Sequence, residues 1–158
     1  MSIKINMAQF RDGIRQKVVQ IQEATRPAAQ AGAQVLYDAA RMNARTQVMT
    51  SLKAHWFYGT NQKYLFQPET LIKSIYQVHS KRNSSAGRET YHVSYNMTKC
   101  PYAHMVEFGH KIVVKKKGVL VDTGKRALAH SFIGKALHEQ SEAAYQAMKQ
   151  EFTDRMNK

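Results

Sequence analysis

The chain has a single cysteine, Cys100, in 158 residues. No intramolecular disulfide can staple it, and the composition fits a reducing compartment. No apolar run approaches the roughly 18 residues that a membrane span needs. Met1 to Phe10 has no apolar h-region, so secretion is not expected. Acidic residues are also scarce, 11 Asp and Glu against 24 Lys and Arg. They are scattered, which leaves few carboxylate pairs for acid–base work. No G-x-S-x-G is present, and nothing beside Cys100 marks a thiolate nucleophile.

Two catalytic patterns come close and fail. Gly118 to Lys125 ends in Thr-Gly-Lys, but five residues separate its glycines where a phosphate loop has four. Arg126 also replaces the Ser or Thr that would hold magnesium. His104, Glu107 and His110 lie at i, i+3 and i+6. The first two could share a metal on a helix, whereas His110 falls beyond Gly109 and the H-E-x-x-H order is missing. The residues therefore point to no enzyme, no metal and no cofactor.

What is present is positive charge, and it is unevenly placed. Arg41 to Ser131 carries 15 Lys and Arg against 4 Asp and Glu, +11 of the net +13. Such a field favours an anionic partner, nucleic acid or an acidic protein surface. A solvated basic face without a specific ligand would read the same way. At this length one domain, 1–158, with a real core is expected.

Hydrophobic periodicity predicts an α+β protein. Phe10, Ile14, Val18 and Ile21 fall at helical spacing over 7–24. Thr25-Arg26-Pro27 reads as a break, with a second, alanine-rich helix over 28–48 whose face is Ala31, Val35, Ala39 and Met42. His55 to Pro68 mixes Trp56, Phe57, Tyr58, Tyr64 and Phe66 with basic residues. These aromatics could stack bases or anchor a loop on the core. Thr70 to Ser80 and Glu89 to Met97 alternate as two antiparallel strands around the polar loop Lys81–Gly87. Lys111 to Asp122 reads as a ribbon with its tip at Lys115-Lys116-Lys117-Gly118, and Ser131 to Met156 as a long helix with Ser131 as N-cap. The expected architecture is an antiparallel sheet with a ribbon arm over 70–122, flanked by two N-terminal helices and one C-terminal helix.

Between strands and arm lies Pro101-Tyr102-Ala103-His104-Met105-Val106-Glu107-Phe108-Gly109-His110. Pro101 suits a first helical position and Gly109 a C-terminal stop. Tyr102, Val106 and Phe108 are expected in the core. Glu107 among them needs a partner, either a backbone N–H or a basic side chain.

Three blocks in this order resemble the neck and tail-completion (minor tail component) proteins of long-tailed bacteriophages. They are Glu69-Thr70-Leu71-Ile72-Lys73-Ser74-Ile75 after an alanine-rich helix; Pro101 to Gly109, similar to the family's Tyr-Ala-x-x-Val-Glu-Phe-Gly; and Ala129 to Leu137, similar to its opening of the last helix. The family pattern has a Pro-x-x-Thr-Gly turn where this chain has His55 to Pro68. It has prolines where Ser131 and Lys135 stand here. The resemblance implies a structural virion protein with Tyr102, Ala103, Val106, Glu107, Phe108 and Gly109 as its motif core. It implies a homo-oligomeric ring, commonly sixfold, at the neck or upper tail, made in the host cytoplasm. Implied partners are further copies of the chain, a head-side connector or head-closure protein, and a tail terminator or tail tube protein. DNA passing through the channel is a further possible contact. Lys115, Lys116, Lys117, Lys125 and Arg126 are the candidate partner or DNA contacts. A small basic nucleic-acid-binding module is the alternative reading.

Overall fold

Two long antiparallel helices form the spine of the protein in the computed structural model, which describes residues 7–49, 55–58, 63–116 and 118–158. Helix α1 spans Met7–Asn43 and runs into a π-helical segment, Ala44–Met49. Helix α4 spans Phe132–Met156. The two are paired from Gln20 to Asn43 of α1. Asn43 Nδ2 donates to the Phe132 carbonyl at 3.3 Å, Gly32 lies under Met148 and Ala144, and Gln20 Nε2 donates to the Met156 carbonyl at 3.1 Å.

Pro27 does not break α1, which passes through it without interruption. The missing proline N–H and the ring clash are local costs, and packing against α4 on both sides of residue 27 offsets them. The buried positions are Ala24, Ala28, Gly32, Ala33 and Ala40. That stripe advances mainly in steps of four and consists of small residues, which suits close approach of a second helix. It is not the face predicted from periodicity, and Met42 is exposed.

The strands form three separate antiparallel pairs among the described residues rather than one sheet. Strands β1 (His55–Tyr58) and β2 (Lys63–Phe66) pair with each other. The question of stacking or anchoring aromatics at Trp56, Phe57, Tyr58, Tyr64 and Phe66 lies outside the described side chains. Strands β3 (Ile75–His79) and β4 (Tyr91–Tyr95) form the predicted hairpin, Ile75 opposite Tyr95 and His79 opposite Tyr91.

The strand predicted from residue 70 starts later, because Pro68–Ser74 is a helix, α2. Pro68 sits in its first turn, where no N–H is required. Lys73 reaches back to Glu69 at 3.0 Å, an i,i+4 pair on the outer face. Leu71, Ile72 and Ile75 then fall on one side at helical spacing and are buried. Strand alternation and helical spacing both fit this short apolar run, and the proline decides between them.

The core gathers Leu71, Ile72 and Ile75 with Cys100, Tyr102, Ala103 and Val106, closed by Phe132 and Ala136 of α4 over Ala40 and Ala44. Cys100 is fully buried, and that burial pushes its thiol pKa up. No helix among the described residues is long and apolar enough to cross a membrane.

Candidate functional site: the joint at 101–110 and the arm it carries

The joint is a short helix, α3 (Ala103–Phe108), preceded by a turn. Pro101 lies in that turn rather than at the first helical position, and the Ala103 N–H closes it on the Cys100 carbonyl at 3.1 Å. With barely two turns of helix, one face can be buried. Ala103, Val106 and Glu107 take it, at i, i+3 and i+4. His104 and Phe108, also four apart, fall outside. Phe108 is 72% exposed, so its expected place in the core is corrected by the helix geometry itself.

Two buried polar groups of the joint each fasten the start of another helix. The Tyr102 hydroxyl accepts from the Gln67 backbone N–H at 3.2 Å and donates to the Gln67 carbonyl at 3.3 Å. Gln67 is the residue before α2. Glu107 reaches the start of α4. Its carboxyl oxygens accept from the N–H groups of Phe132 (2.9 Å), Ile133 (3.2 Å) and Gly134 (2.9 Å), and from the Ser131 hydroxyl (3.0 Å). A helix leaves its first four N–H groups without intrahelical partners, and a negative group there also faces the positive end of the dipole.

Ser131 therefore does not cap α4 with its own side chain; its hydroxyl orients the carboxyl group that does. The partner foreseen for Glu107 is a set of backbone N–H groups. Gly134 is part of the arrangement, since a Cβ there would come within 2.5 Å of Ser131 Oγ and 3.5 Å of Glu107 Oε1.

Burial pushes the Tyr102 hydroxyl from 10.0 up to about 12. A folded-state value above the unfolded one means that Tyr102 contributes its full stability below pH 10 and loses it as the pH rises towards 12. Urea melts should show the wild type losing stability over that window more steeply than Tyr102→Phe. At neutral pH the variant should be about 1 kcal/mol weaker, the usual net value of a hydrogen bond. Equal slopes for the two proteins would remove Tyr102 from this role.

The arm leaves from this joint. Strand β5 (His110–Lys116) and strand β6 (Val119–Ala127) form a ribbon. Its base is the His110–Ala127 pair and its outer end the Lys116–Val119 pair. The predicted ribbon is present and continues five residues further, to Ala127. Register slips between Lys111 and Val113. Asp122 Oδ1 accepts from the Gly124 N–H at 2.9 Å, which with Lys111 at 3.5 Å holds the Asp122 carboxyl below its ordinary range. The Thr-Gly-Lys run lies inside β6, not in a loop before a helix. Lys116, Lys125 and Arg126 are exposed along the arm. Lys117 and the side chain of Lys115 lie outside the described residues.

The arm is exposed on both faces. Ile112, Val113, Val114, Val119, Leu120 and Val121 are 38–65% exposed, and Leu128 at its base is 82% exposed. Their place in a ribbon is legible from local pattern; that no other described residue covers them is a property of the fold. No protein-family model, curated protein or solved structure matches the chain.

The described residues bring together no group of three His, Cys, Asp or Glu side chains that could hold a metal. Glu107 is turned inward onto four donors, while His104 is exposed. The arrangement does mechanical work: it fixes where the arm leaves the body and where the last helix begins.

Proposed function

We propose that the protein is a structural component of a phage neck or tail-completion ring, built from copies of this chain and joining a head-side connector to the tail. The observation that carries the proposal is the arm. A two-stranded ribbon is marginal alone in water, and this one exposes six large apolar side chains. Exposed apolar surface of that extent marks a surface that another molecule covers. The joint that holds the arm is the segment resembling the family motif, and its polar groups serve packing rather than reaction. Phe108 and Leu128, the two most exposed large apolar residues, both lie at the foot of the arm in sequence, where a neighbour would meet it.

Electron microscopy of phage particles and of the purified protein tests this. Rings of the chain, and density for it between head and tail, are expected. Its absence from mature particles would overturn the proposal. The docking partners are a head-closure protein on one side and a tail terminator or tube protein on the other.

The second reading, nucleic-acid binding, is favoured by Lys116, Lys125 and Arg126 standing free of the body on one arm. Its signature is affinity that falls steeply with salt, by a slope of about −0.9 per phosphate contact. Replacing Lys115, Lys116 and Lys117 together with Ser should leave the unfolding midpoint unchanged and weaken assembly or DNA contact. Light scattering and a salt titration of DNA binding read the two effects separately. Unchanged assembly, binding and infectivity would leave those lysines only the task of keeping ribbon edges from pairing.

A further inference from the structure

Helix α4 ends at Met156, level with Gln20 of α1. Met7–Val19 runs on past it for thirteen residues, about 20 Å at 1.5 Å per residue, and every one of them is exposed. A helix of this length without a packed face is marginal in water. Met7, Phe10, Ile14, Val18 and Ile21 recur at spacings of three and four and are 40–59% exposed. At 3.6 residues per turn they form a single stripe about 80° wide. The stripe lies about a third of a turn round from Gln20, the residue that meets the end of α4. It therefore does not continue the α1–α4 seam at that end.

The charges around the stripe are ordered. Arg11 and Arg15 border it on one side and Lys17 on the other, whereas Asp12, Gln16 and Glu23 fall on the far side of the helix. Arg15 stands 3.7 Å from Asp12, an exposed pair that leaves both groups in water. Lys17 donates to Gln20 at 3.0 Å. An apolar stripe between cationic borders, with the acids opposite, is the layout of a helix lying in the plane between water and an anionic apolar phase.

We propose that this overhang lies on an anionic lipid surface, with its stripe sunk among the acyl chains and Arg11, Arg15 and Lys17 at the headgroups. This goes beyond the ring reading and does not rest on it. Charge and area both favour lipid over protein. Pairing the stripes of two copies sets cation against cation in either direction, because both borders carry the same sign. The half-exposed side chains of the stripe offer roughly 400–500 Å², short of the about 800 Å² per partner of a specific protein interface. A lipid surface deforms around a helix and requires no matching wall; its hold grows with the apolar area buried and with the cations at the headgroups.

The test mixes the full chain with vesicles of phosphatidylcholine and phosphatidylglycerol, or of phosphatidylcholine alone, and reads binding by co-sedimentation. Wild type should bind the anionic vesicles and bind the neutral ones far more weakly. The chain as a whole carries net +13, so the variants must separate the stripe from general attraction. Phe10→Ser with Ile14→Ser keeps every charge. It should remain folded by circular dichroism and bind on the order of 100-fold more weakly, the scale of two lost apolar anchors. Arg11→Gln and Arg15→Gln with Lys17→Gln should lose a similar amount, a factor of about five for each cation near such a surface. Lys81→Gln and Arg82→Gln with Arg88→Gln removes the same charge from the exposed loop between β3 and β4 and should bind like wild type. A stripe variant that binds like wild type, or a loop variant that loses as much as the Arg11, Arg15 and Lys17 variant, overturns the proposal. So does a wild type that leaves anionic vesicles unbound, and the stripe then belongs to an acidic protein surface. If the stripe holds the chain on vesicles and the chain is absent from phage particles, the ring reading fails and the lipid contact stands.

Discussion

Glu107→Ala should cost about 3–4 kcal/mol of folding stability, the largest loss from any single side-chain truncation at the joint. The substitution leaves the N–H groups of Phe132, Ile133 and Gly134 and the Ser131 hydroxyl without their acceptor. Removing an ordinary N-cap costs about 0.5–2 kcal/mol, and hydrogen bonds to a charged group about 1.5–3 kcal/mol each. These terms are not additive, and water can reach some of the freed donors, which keeps the total below their sum. For a domain with about 5–15 kcal/mol in hand, the loss should lower the melting temperature by on the order of 10 °C. Glu107→Gln keeps an acceptor and the side-chain length, so about half the loss is expected. Urea unfolding of the three proteins is the measurement. A loss below about 1 kcal/mol for Glu107→Ala would mean that solvent caps α4 equally well.

The same residue shows what could be read without coordinates. A carboxylate among Tyr102, Val106 and Phe108 had to find a partner, and that requirement follows from desolvation alone. Which partner it finds depends on Phe132 lying 25 positions further on, a tertiary fact. Phe108 stays outside the core for a different reason: a six-residue helix can bury one face only, and position on it outweighs apolar character. Over 68–80 alternation and helical spacing agree for a few residues, and Pro68 with the Glu69–Lys73 pair tips the balance to a helix. Pro27 does not end α1 because its penalty is local, whereas the pairing of α1 with α4 spans both sides of it. The ribbon was legible because its β-branched runs and its lysine–glycine tip are both local features. That it stands apart from the body was not, since exposure is a property of the whole fold. The stripe Phe10, Ile14, Val18 and Ile21 is helical as its spacing predicts, and in the structure these side chains are exposed.

Gly109→Ala should be nearly as damaging as the loss of Glu107, by a separate route. Gly109 has φ 70 and ψ 168, a region that is essentially restricted to glycine and costs of order 1–3 kcal/mol for a residue with a Cβ. It is not the left-handed cap geometry expected at a helix end, because the chain must turn straight into β5. A Cβ at this position would lie 2.6 Å from the Ala127 carbonyl and 3.1 Å from the Ala129 backbone nitrogen. Both are backbone atoms at the return end of the arm, so no side chain can swing aside. The His110–Ala127 pair at the foot of the ribbon would have to open, and the His130 N–H bond to the Val106 carbonyl, 2.7 Å, lies next in line. About 2–4 kcal/mol should be lost, with increased hydrogen exchange at residues 110–111 and 126–127. Gly134→Ala tests a different contact, since the Cβ there meets the Ser131 hydroxyl, which can rotate away, and a smaller loss is expected. If Gly109→Ala melts within about 1 kcal/mol of wild type and leaves exchange at the ribbon base unchanged, the joint does not set the direction of the arm. If the loss is as large as expected and assembly fails even where the monomer remains folded, the direction of the arm, and not merely its presence, is what a neighbouring copy reads.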